Sequence, residues 1–447
     1  MVVKKMTKVG FISLGCSKNL VDTEVMLHNL HSAGFEITAD ESDAEIIVIN
    51  TCGFIESAKK ESIESILDAA NLKECGKCRH IIATGCLVER YRNEVMDELP
   101  ELDAIIGVGS LADIADACLA VMRGEKYSSF RDKENSKIGG ERILTTDPHT
   151  AYLKVSEGCD NCCTYCAIPL IRGRHRSRSI EDIVSEAKRL EAMGVKEVNL
   201  IAQDTTRYGL DLYGEYSLAR LVRAITEETD IPWIRLLYCY PDKITDELIY
   251  ELKNNDRLVK YMDIPVQHIS DTVLKAMNRH GGKALIQEAV RKLRDSVPGI
   301  VLRTTAMVGF PGESEADFED LCEFIKEARF DRFGAFTFSP EEGTPAADMD
   351  NQIDEQVKQN RYDTLMQTQL LISEEQNNAK IGLTLTVLCD GYDSESGVYY
   401  GRSYADAPDV DGKVYFTSDR EIVPGDFVSV KITNAMDYDL VGEAGGV

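Results

Sequence analysis

Cys159-Asp160-Asn161-Cys162-Cys163-Thr164-Tyr165-Cys166 packs four thiols into eight residues. The stretch follows an apolar segment, Ala151-Tyr152-Leu153-Lys154-Val155, that reads as a strand, and a Gly158 that turns the chain away from it. Soft sulfur ligands this close together hold a metal or a cluster. Cys159 with Cys162, and Cys163 with Cys166, are each a C-x2-C pair of the kind zinc ribbons use. Cys159, Cys163 and Cys166 also form C-x3-C-x2-C, three thiolates for a cube of four irons with one iron left open. A tetrahedral zinc site sets its ligands on two opposed knuckles, and no second knuckle lies near. The three-thiolate cluster is the favoured reading.

Downstream of that first strand, the segments Glu197 to Ala202, Trp233 to Tyr238, Tyr261 to Val266, Val301 to Val308 and Gly334 to Phe338 read as strands, with helical periodicity between them. A longer helix is expected from Ile353 to Ala379. Six strand-helix units are too few for a closed eight-stranded barrel and suit an open one, whose active site lies at the carboxyl ends of its strands. The thiol loop follows the first strand, as that rule requires.

Upstream, strands are expected at Lys8 to Leu14, Glu45 to Asn50, His80 to Thr84 and Ala104 to Gly107. Helices are expected at Asn19 to Ala33, Ile55 to Asn71, Glu89 to Leu99 and Leu111 to Met122. Continuous apolar strands separated by helices imply a parallel sheet covered on both faces. Cys16, Cys52 and Cys86 follow the first three strands, so all three fall at carboxyl strand ends, where open sheets of this kind bind ligands. Any one of them could be an ordinary buried cysteine. Three at the same sheet edge, each beside a glycine (Gly15, Gly53, Gly85), make a second cluster site. Cys75 and Cys78 form one more C-x2-C, between a helix and a strand and with no partner pair, and read as incidental thiols.

The stretch 131–149 is polar, carries glycine and lacks an apolar period, as a linker does. The domains expected are therefore 1–130, the linker 131–149, 150–378 and 379–447. In the last, Thr384 to Leu388, Gly397 to Arg402, Val414 to Phe416 and Phe427 to Ile432 are short strands parted by Gly, Asp and Pro turns, which suits a small antiparallel barrel.

The chain has 447 residues, 43% of them hydrophobic and 28% charged, a composition of a globular, soluble multidomain protein. No segment is apolar for long enough to cross a membrane, and the basic start Met1-Val2-Val3-Lys4-Lys5 runs into a strand instead of a signal peptide's apolar region. Thirteen cysteines with metal-type spacing point to a reducing, cytoplasmic location. Fifty basic residues against seventy-six acidic ones leave a net charge of −26, which disfavours a nucleic-acid substrate and suits a basic protein partner. From Ala379 onward five basic residues face twelve acids, although an RNA-gripping barrel should be basic.

Gly158 to Pro169 with Ile171-Arg172-Gly173 resembles the cluster loop of radical S-adenosylmethionine enzymes, in the form carried by methylthiotransferases. Ser13 to Glu24, Asn50 to Ile55 and Thr84 to Leu87 resemble the three cysteine motifs of that family's N-terminal domain, and the C-terminal barrel is similar to its TRAM module. The resemblance covers Lys8 to Ala444. It implies an enzyme with two [4Fe-4S] clusters, one on Cys159, Cys163 and Cys166 and an auxiliary one on Cys16, Cys52 and Cys86, with Cys162 a bystander. S-adenosylmethionine would chelate the open iron of the first and be contacted by Tyr165, Arg235, Gln267 and the stretch from Arg303 to Gly312, including Gly309, Pro311 and Gly312. Arg235 reads equally as a barrel salt-bridge residue, and His268 and His280 are assigned no chemical role.

Asp263-Ile264-Pro265-Val266-Gln267-His268-Ile269-Ser270-Asp271 and Ile201 to Thr206 are similar to the branch that modifies an aspartate of small-subunit ribosomal protein S-twelve. A transfer-RNA adenosine methylthiotransferase is the second reading, and a non-catalytic iron-sulfur or zinc protein the third. The resemblance implies methylation of a sulfur at the auxiliary cluster, radical abstraction from the aspartate β-carbon, and transfer of the methylthio group. Such an enzyme needs an electron donor, meets its substrate free or on the ribosome, and is expected to act as a monomer.

Overall fold

The computed structural model describes residues 6–445, so the basic start at residues 1–5 lies outside the described residues. The chain opens with a six-stranded, wholly parallel sheet built from β1 (Lys8–Ser13), β2 (Glu36–Thr38), β3 (Ile46–Thr51), β4 (His80–Gly85), β5 (Ala104–Ile106) and β6 (Tyr127–Ser129), in the order β2-β1-β3-β4-β5-β6. Every residue of β3 is buried. Its Ile46 and Val48 pack with Met26 and Leu30 of α1 (Ser17–Ser32), while Ile47 and Ile49 pack on the opposite face with Ile66 and Ala69 of α2 (Glu56–Cys75). Alternation under helices on both faces is why the strand reads as one apolar run.

Two three-residue edge strands, β2 and β6, were not expected; segments so short carry no measurable period. The helix expected from Glu89 to Leu99 is two, α3 (Cys86–Tyr91) and α4 (Asn93–Glu98), broken where Arg92 takes φ 49°. Cys78 is 1% exposed within the apolar core and lends its S–H to His80 O, as an incidental thiol would.

The second sheet contains β7 (Thr150–Lys154), β8 (Glu197–Ile201), β9 (Trp233–Leu236), β10 (Leu258–Asp263), β11 (Val301–Val308) and β12 (Arg332–Thr337), all parallel and neighbouring in sequence order. The fourth of these lies earlier than the Tyr261 to Val266 expected. Ile264-Pro265 falls beyond it, where proline's lack of an N–H costs the ladder nothing. Leu153, Leu200, Leu236 and Met262 face the outer helices, whereas Tyr152, Ile201, Leu237 and Tyr261 line the concave side. Six strands leave that concavity open. Ala405 and Ala407 of the C-terminal unit, and Val21 of α1, fill part of it.

The C-terminal unit is a closed five-stranded barrel of β13 (Thr384–Asp393), β14 (Val398–Ser403), β15 (Val414–Thr417), β16 (Phe427–Ala435) and β17 (Leu440–Ala444), ordered β13-β14-β15-β17-β16. β17 was not expected, and it pairs parallel with β15, so the barrel is antiparallel except at that seam. The barrel docks through charge as well as apolar contact. Glu197, fully buried at the start of β8, bonds Arg235 at 2.8 Å and pairs with Arg402. Asp390 holds Arg402 at 2.9 Å and His149 at 2.9 Å, and Trp233 meets Phe427 edge-on at 4.9 Å. Within 131–149, Arg142 is buried, hydrogen-bonds Glu24 at 2.7 Å and forms an ion pair with Glu186 at 2.9 Å, so the polar segment straps the first two units together. Among the described residues no helix is long and apolar enough to cross a membrane.

Candidate active site

β1, β3 and β4 are adjacent, with Ser13 opposite Asn50 and Thr51 opposite Gly85. That register sets the strand ends side by side, with Cys16 and Cys52 on the turns after β1 and β3 and Cys86 opening α3 directly after β4. Gly15 has φ 86°, and a Cβ there would sit 3.0 Å from Cys52 Sγ. At Gly53 a Cβ would sit 2.6 Å from the Leu87 backbone, next to Cys86. Each glycine is therefore where one thiol-bearing turn touches the next. Asn19 donates through Nδ2 to Leu14 O at 2.9 Å and Thr51 O at 3.0 Å, clasping the first two turns. Cys16 is exposed, Cys52 half-buried and Cys86 buried. Burial pushes the Cys86 thiol up to about 11 against the pull of the Arg172 guanidinium, and burial also raises Cys52.

The second thiol loop is pinned by its own backbone. Gly158 has φ 78° and lies so close to Arg174 O that no Cβ fits, and Cys159 N donates to Gly173 O at 3.1 Å. Cys166 N donates to Cys163 O at 3.0 Å. Cys162 takes φ 49° and is exposed, unlike the buried Cys159 and Cys163. Burial pushes Cys159 up to about 11 and raises Cys166 strongly. Asn161 bonds Asp204 at 2.7 Å and receives Lys243 Nζ at 2.9 Å, a buried triad under the loop. Tyr240 OH lies 3.4 Å from Cys163 Sγ, with Arg279 over its ring at 4.3 Å. Lys243, Tyr240 and Arg279 carry no local sequence signal; only the fold brings them here.

The donor set of each triad is sulfur alone. Among the described residues, the one group of three His, Cys, Asp or Glu side chains whose ligand atoms all close within 4.8 Å is Asp147, His149 and Asp390. Three thiolates are the donor set that a cube of four irons with one open corner takes. Both triads fit a cluster.

Of the residues expected at S-adenosylmethionine, Tyr165 packs with Phe310, Phe338 and Met277, and its hydroxyl accepts from Arg279 at 3.3 Å. Gln267 ends β10's loop with φ 69°, its N–H donating to Thr305 O at 2.8 Å. Gly309 has φ 73° and donates to Glu313 Oε2 at 2.8 Å, Pro311 is buried, and Gly312 N donates to Asn351 O at 2.8 Å. Arg235 is 0% exposed, committed to Glu197 and, at 2.7 Å, to Tyr404 O. It holds the C-terminal barrel, which matches the salt-bridge reading. His268 is buried, its Nδ1 accepting from Ser270 N at 3.0 Å.

A cleft of about 510 Å³ joins all three units, lined among others by Cys16, Tyr238, Asp263, Arg303, Phe336 and Asp409. Its size suits a small-molecule or side-chain site. A depression of about 640 Å³ beside α1 and the strap has no cysteine in its lining. Between the two triads lies a buried network. Arg172, on α5 (Ile168–Arg172) directly after the second thiol loop, donates to Asp22 at 2.6 Å, Asn19 Oδ1 at 2.6 Å and Cys86 Sγ at 3.3 Å. Lys154 pairs with Asp22 and with Glu157 at 2.8 Å, and Gln203 bonds Glu157 at 2.6 Å. Burial opposes ionisation of Glu157, but Lys154 and Arg172 outweigh it and hold the carboxyl well below its usual range.

Residues 8–107 match an uncharacterized protein family, UPF0004; residues 153–325 match the radical SAM superfamily; residues 381–444 match a TRAM domain. The chain is 51% identical over 439 residues to the ribosomal protein uS12 methylthiotransferase RimO of Thermoanaerobacter sp. (strain X514), covering 98% of this chain and 100% of the relative. It is 53% identical, with the same coverages, to the RimO of Caldanaerobacter subterraneus subsp. tengcongensis. To that of Acetivibrio thermocellus it is 50% identical over 449 residues, 98% of each chain. The radical S-adenosylmethionine methyltransferase TsrM from Kitasatospora setae, solved with cobalamin and a [4Fe-4S] cluster, shares the fold at a TM-score of 0.54 and 14% identity, over 86% of this chain and 81% of its own. By identity across nearly its whole length, the chain belongs to the RimO family of ribosomal protein uS12 methylthiotransferases, within the radical SAM superfamily.

Proposed function

We propose that this enzyme places a methylthio group on the β-carbon of an aspartate in ribosomal protein uS12. In this reading Cys159, Cys163 and Cys166 hold the [4Fe-4S] cluster whose open iron takes S-adenosylmethionine, and Cys16, Cys52 and Cys86 hold a second one. The observation that carries it is the joining of two sulfur-only triads, each at the carboxyl edge of a parallel sheet, through one buried network beside one cleft. A reduced cluster of this kind, with its cofactor bound, supplies one-electron cleavage of a carbon-sulfur bond and hence a radical able to take hydrogen from an unactivated carbon.

The chain's own groups orient and enclose. Asn161, Asp204 and Lys243 fix the second thiol loop from beneath, and Tyr240 and Tyr165, both tied to Arg279, wall it from the sheet side. Asp263 at 3.0 Å and Asp411 at 3.4 Å hold Arg303 in the cleft wall. The net charge of −26 favours approach of a basic protein, and an external donor supplies the electron. The enzyme acts as a single chain in the cytoplasm.

The test is anaerobic reconstitution, iron and sulfide analysis, and mass spectrometry of uS12 and of bulk transfer RNA after incubation with S-adenosylmethionine and reductant. About eight irons and a gain of about 46 mass units on the protein's aspartate are expected. The same gain on transfer RNA, with none on uS12, overturns the substrate assignment.

A further inference from the structure

We propose that Arg172 is a positioning residue that sets the reduction potential of the cluster on Cys16, Cys52 and Cys86, acting through the Cys86 sulfur. The inference rests on the reading that Cys86 is a cluster ligand. Arg172 belongs to the other half of the site, at the end of the helix that follows Cys166, yet its Nη2 lies 3.3 Å from Cys86 Sγ. Cys86 is 6% exposed and packs against Ala167 and Ile171 of the same segment, so water has little access to its sulfur.

The guanidinium is held in place from both sides. Nη2 also donates to Asn19 Oδ1 at 2.6 Å, and the Asn19 amide nitrogen is committed to the carbonyls of Leu14, two residues before Cys16, and Thr51, directly before Cys52. Nη1 reaches Asp22 at 2.6 Å, on the helix after Cys16, and Glu157 at 3.2 Å, two residues before Cys159. Lys154 bridges the same two carboxylates, so two cations balance two anions and the whole quartet is buried. A charge-assisted hydrogen bond to a ligating sulfur stabilises the reduced, more negative state of a cluster. In a water-poor interior that effect is stronger than at a surface. Arg172 thereby makes the auxiliary site easier to reduce, from a helix whose position depends on the loop that takes S-adenosylmethionine.

The experiment is an EPR-monitored redox titration of the full reconstituted chain as wild type, Arg172→Gln, Arg172→Lys and Asp22→Asn. In Arg172→Gln one of two reduction waves should move to lower potential by about tenfold in the reduced-to-oxidised ratio, about 59 mV for a one-electron couple. Arg172→Lys should recover part of that shift. Asp22→Asn, which removes a counter-charge and keeps the donor, should move the same wave to higher potential. A merely structural role would not give shifts of opposite sign. Waves that stay put, or that shift together in one direction in both variants, overturn the inference. If Arg172→Gln loses its auxiliary iron, the sign of the Asp22→Asn shift decides alone. Only about four irons in the wild type would instead sink the two-cluster reading on which the inference stands.

Discussion

Gly15 and Cys52 touch across the edge of the first sheet: a Cβ on Gly15 would stand 2.9 Å from Cys52 Cβ and 3.0 Å from its Sγ, at a φ of 86°. Gly15→Ala must therefore accept a left-handed backbone and push the second thiol aside. We expect a loss of about 2–4 kcal/mol in stability. Iron bound at the N-terminal site should fall with it, while the Cys159 loop keeps its own. Denaturant unfolding and iron analysis check both parts. Full stability and full iron would show that the two turns are not the rigid contact described.

On the proposed reading the two triads carry separate parts of the chemistry, which single substitutions can divide. Cys163→Ala is expected to abolish both cleavage of S-adenosylmethionine and methylthiolation. Cys52→Ala should leave some cleavage and no methylthiolated product. Liquid chromatography of the cleaved nucleoside, beside mass spectrometry of uS12, reads both. Unimpaired methylthiolation by either variant contradicts the assignment.

Glu197 is the sole carboxylate hydrogen-bonded to Arg235 and one of two bonded to Arg402, among the described residues, and all three are buried. Glu197→Gln leaves two buried guanidinium groups under-compensated. A cost of about 3–5 kcal/mol is expected, and the C-terminal barrel should loosen from the open one. Limited proteolysis between the two units, set beside thermal unfolding, distinguishes undocking from global loss.

The same interface should be acid-labile. Burial opposes the ionisation of Glu197, Asp390 and Asp406, yet Arg402 and Arg235, His149 and Arg402, and Arg332 respectively outweigh it and hold each carboxyl below its ordinary range. The unfolded chain therefore takes up these protons first. The stabilisation is present in full above the unfolded values of about 4 and is lost as pH falls through the lower folded ones. Asp411, pushed up by burial, works in the opposite direction. Thermal midpoints measured downward from pH 6 should fall progressively below about pH 4, and less so in Glu197→Gln. A flat profile in the wild type would refute the electrostatic account of docking.

Much of this architecture is legible in the chain itself. The apolar run Ile46-Ile47-Val48-Ile49 announces a strand buried on both faces, and a thiol after each of β1, β3 and β4 follows from where parallel strands end. Strand β17 was missed because Leu440-Val441-Gly442-Glu443-Ala444 is short and holds a glycine; it is a strand because β15 and β16 offer it edges. Arg235 could be read two ways because an arginine on a strand does not reveal its partner. Glu197 lies on another strand and Tyr404 in another unit.

By itself the sequence determined the classes of element, the two sulfur triads and the family, because these depend on residue type and on spacing within a few positions. Tertiary structure alone decided that Arg172 meets Cys86, that Lys243 and Tyr240 support the thiol loop, and that residues of the C-terminal unit fill part of the concavity of an open six-stranded barrel. Those contacts join residues as far apart as Glu197 and Arg402. Buried charges take whatever partner the packed chain delivers, and no local pattern encodes which one that is.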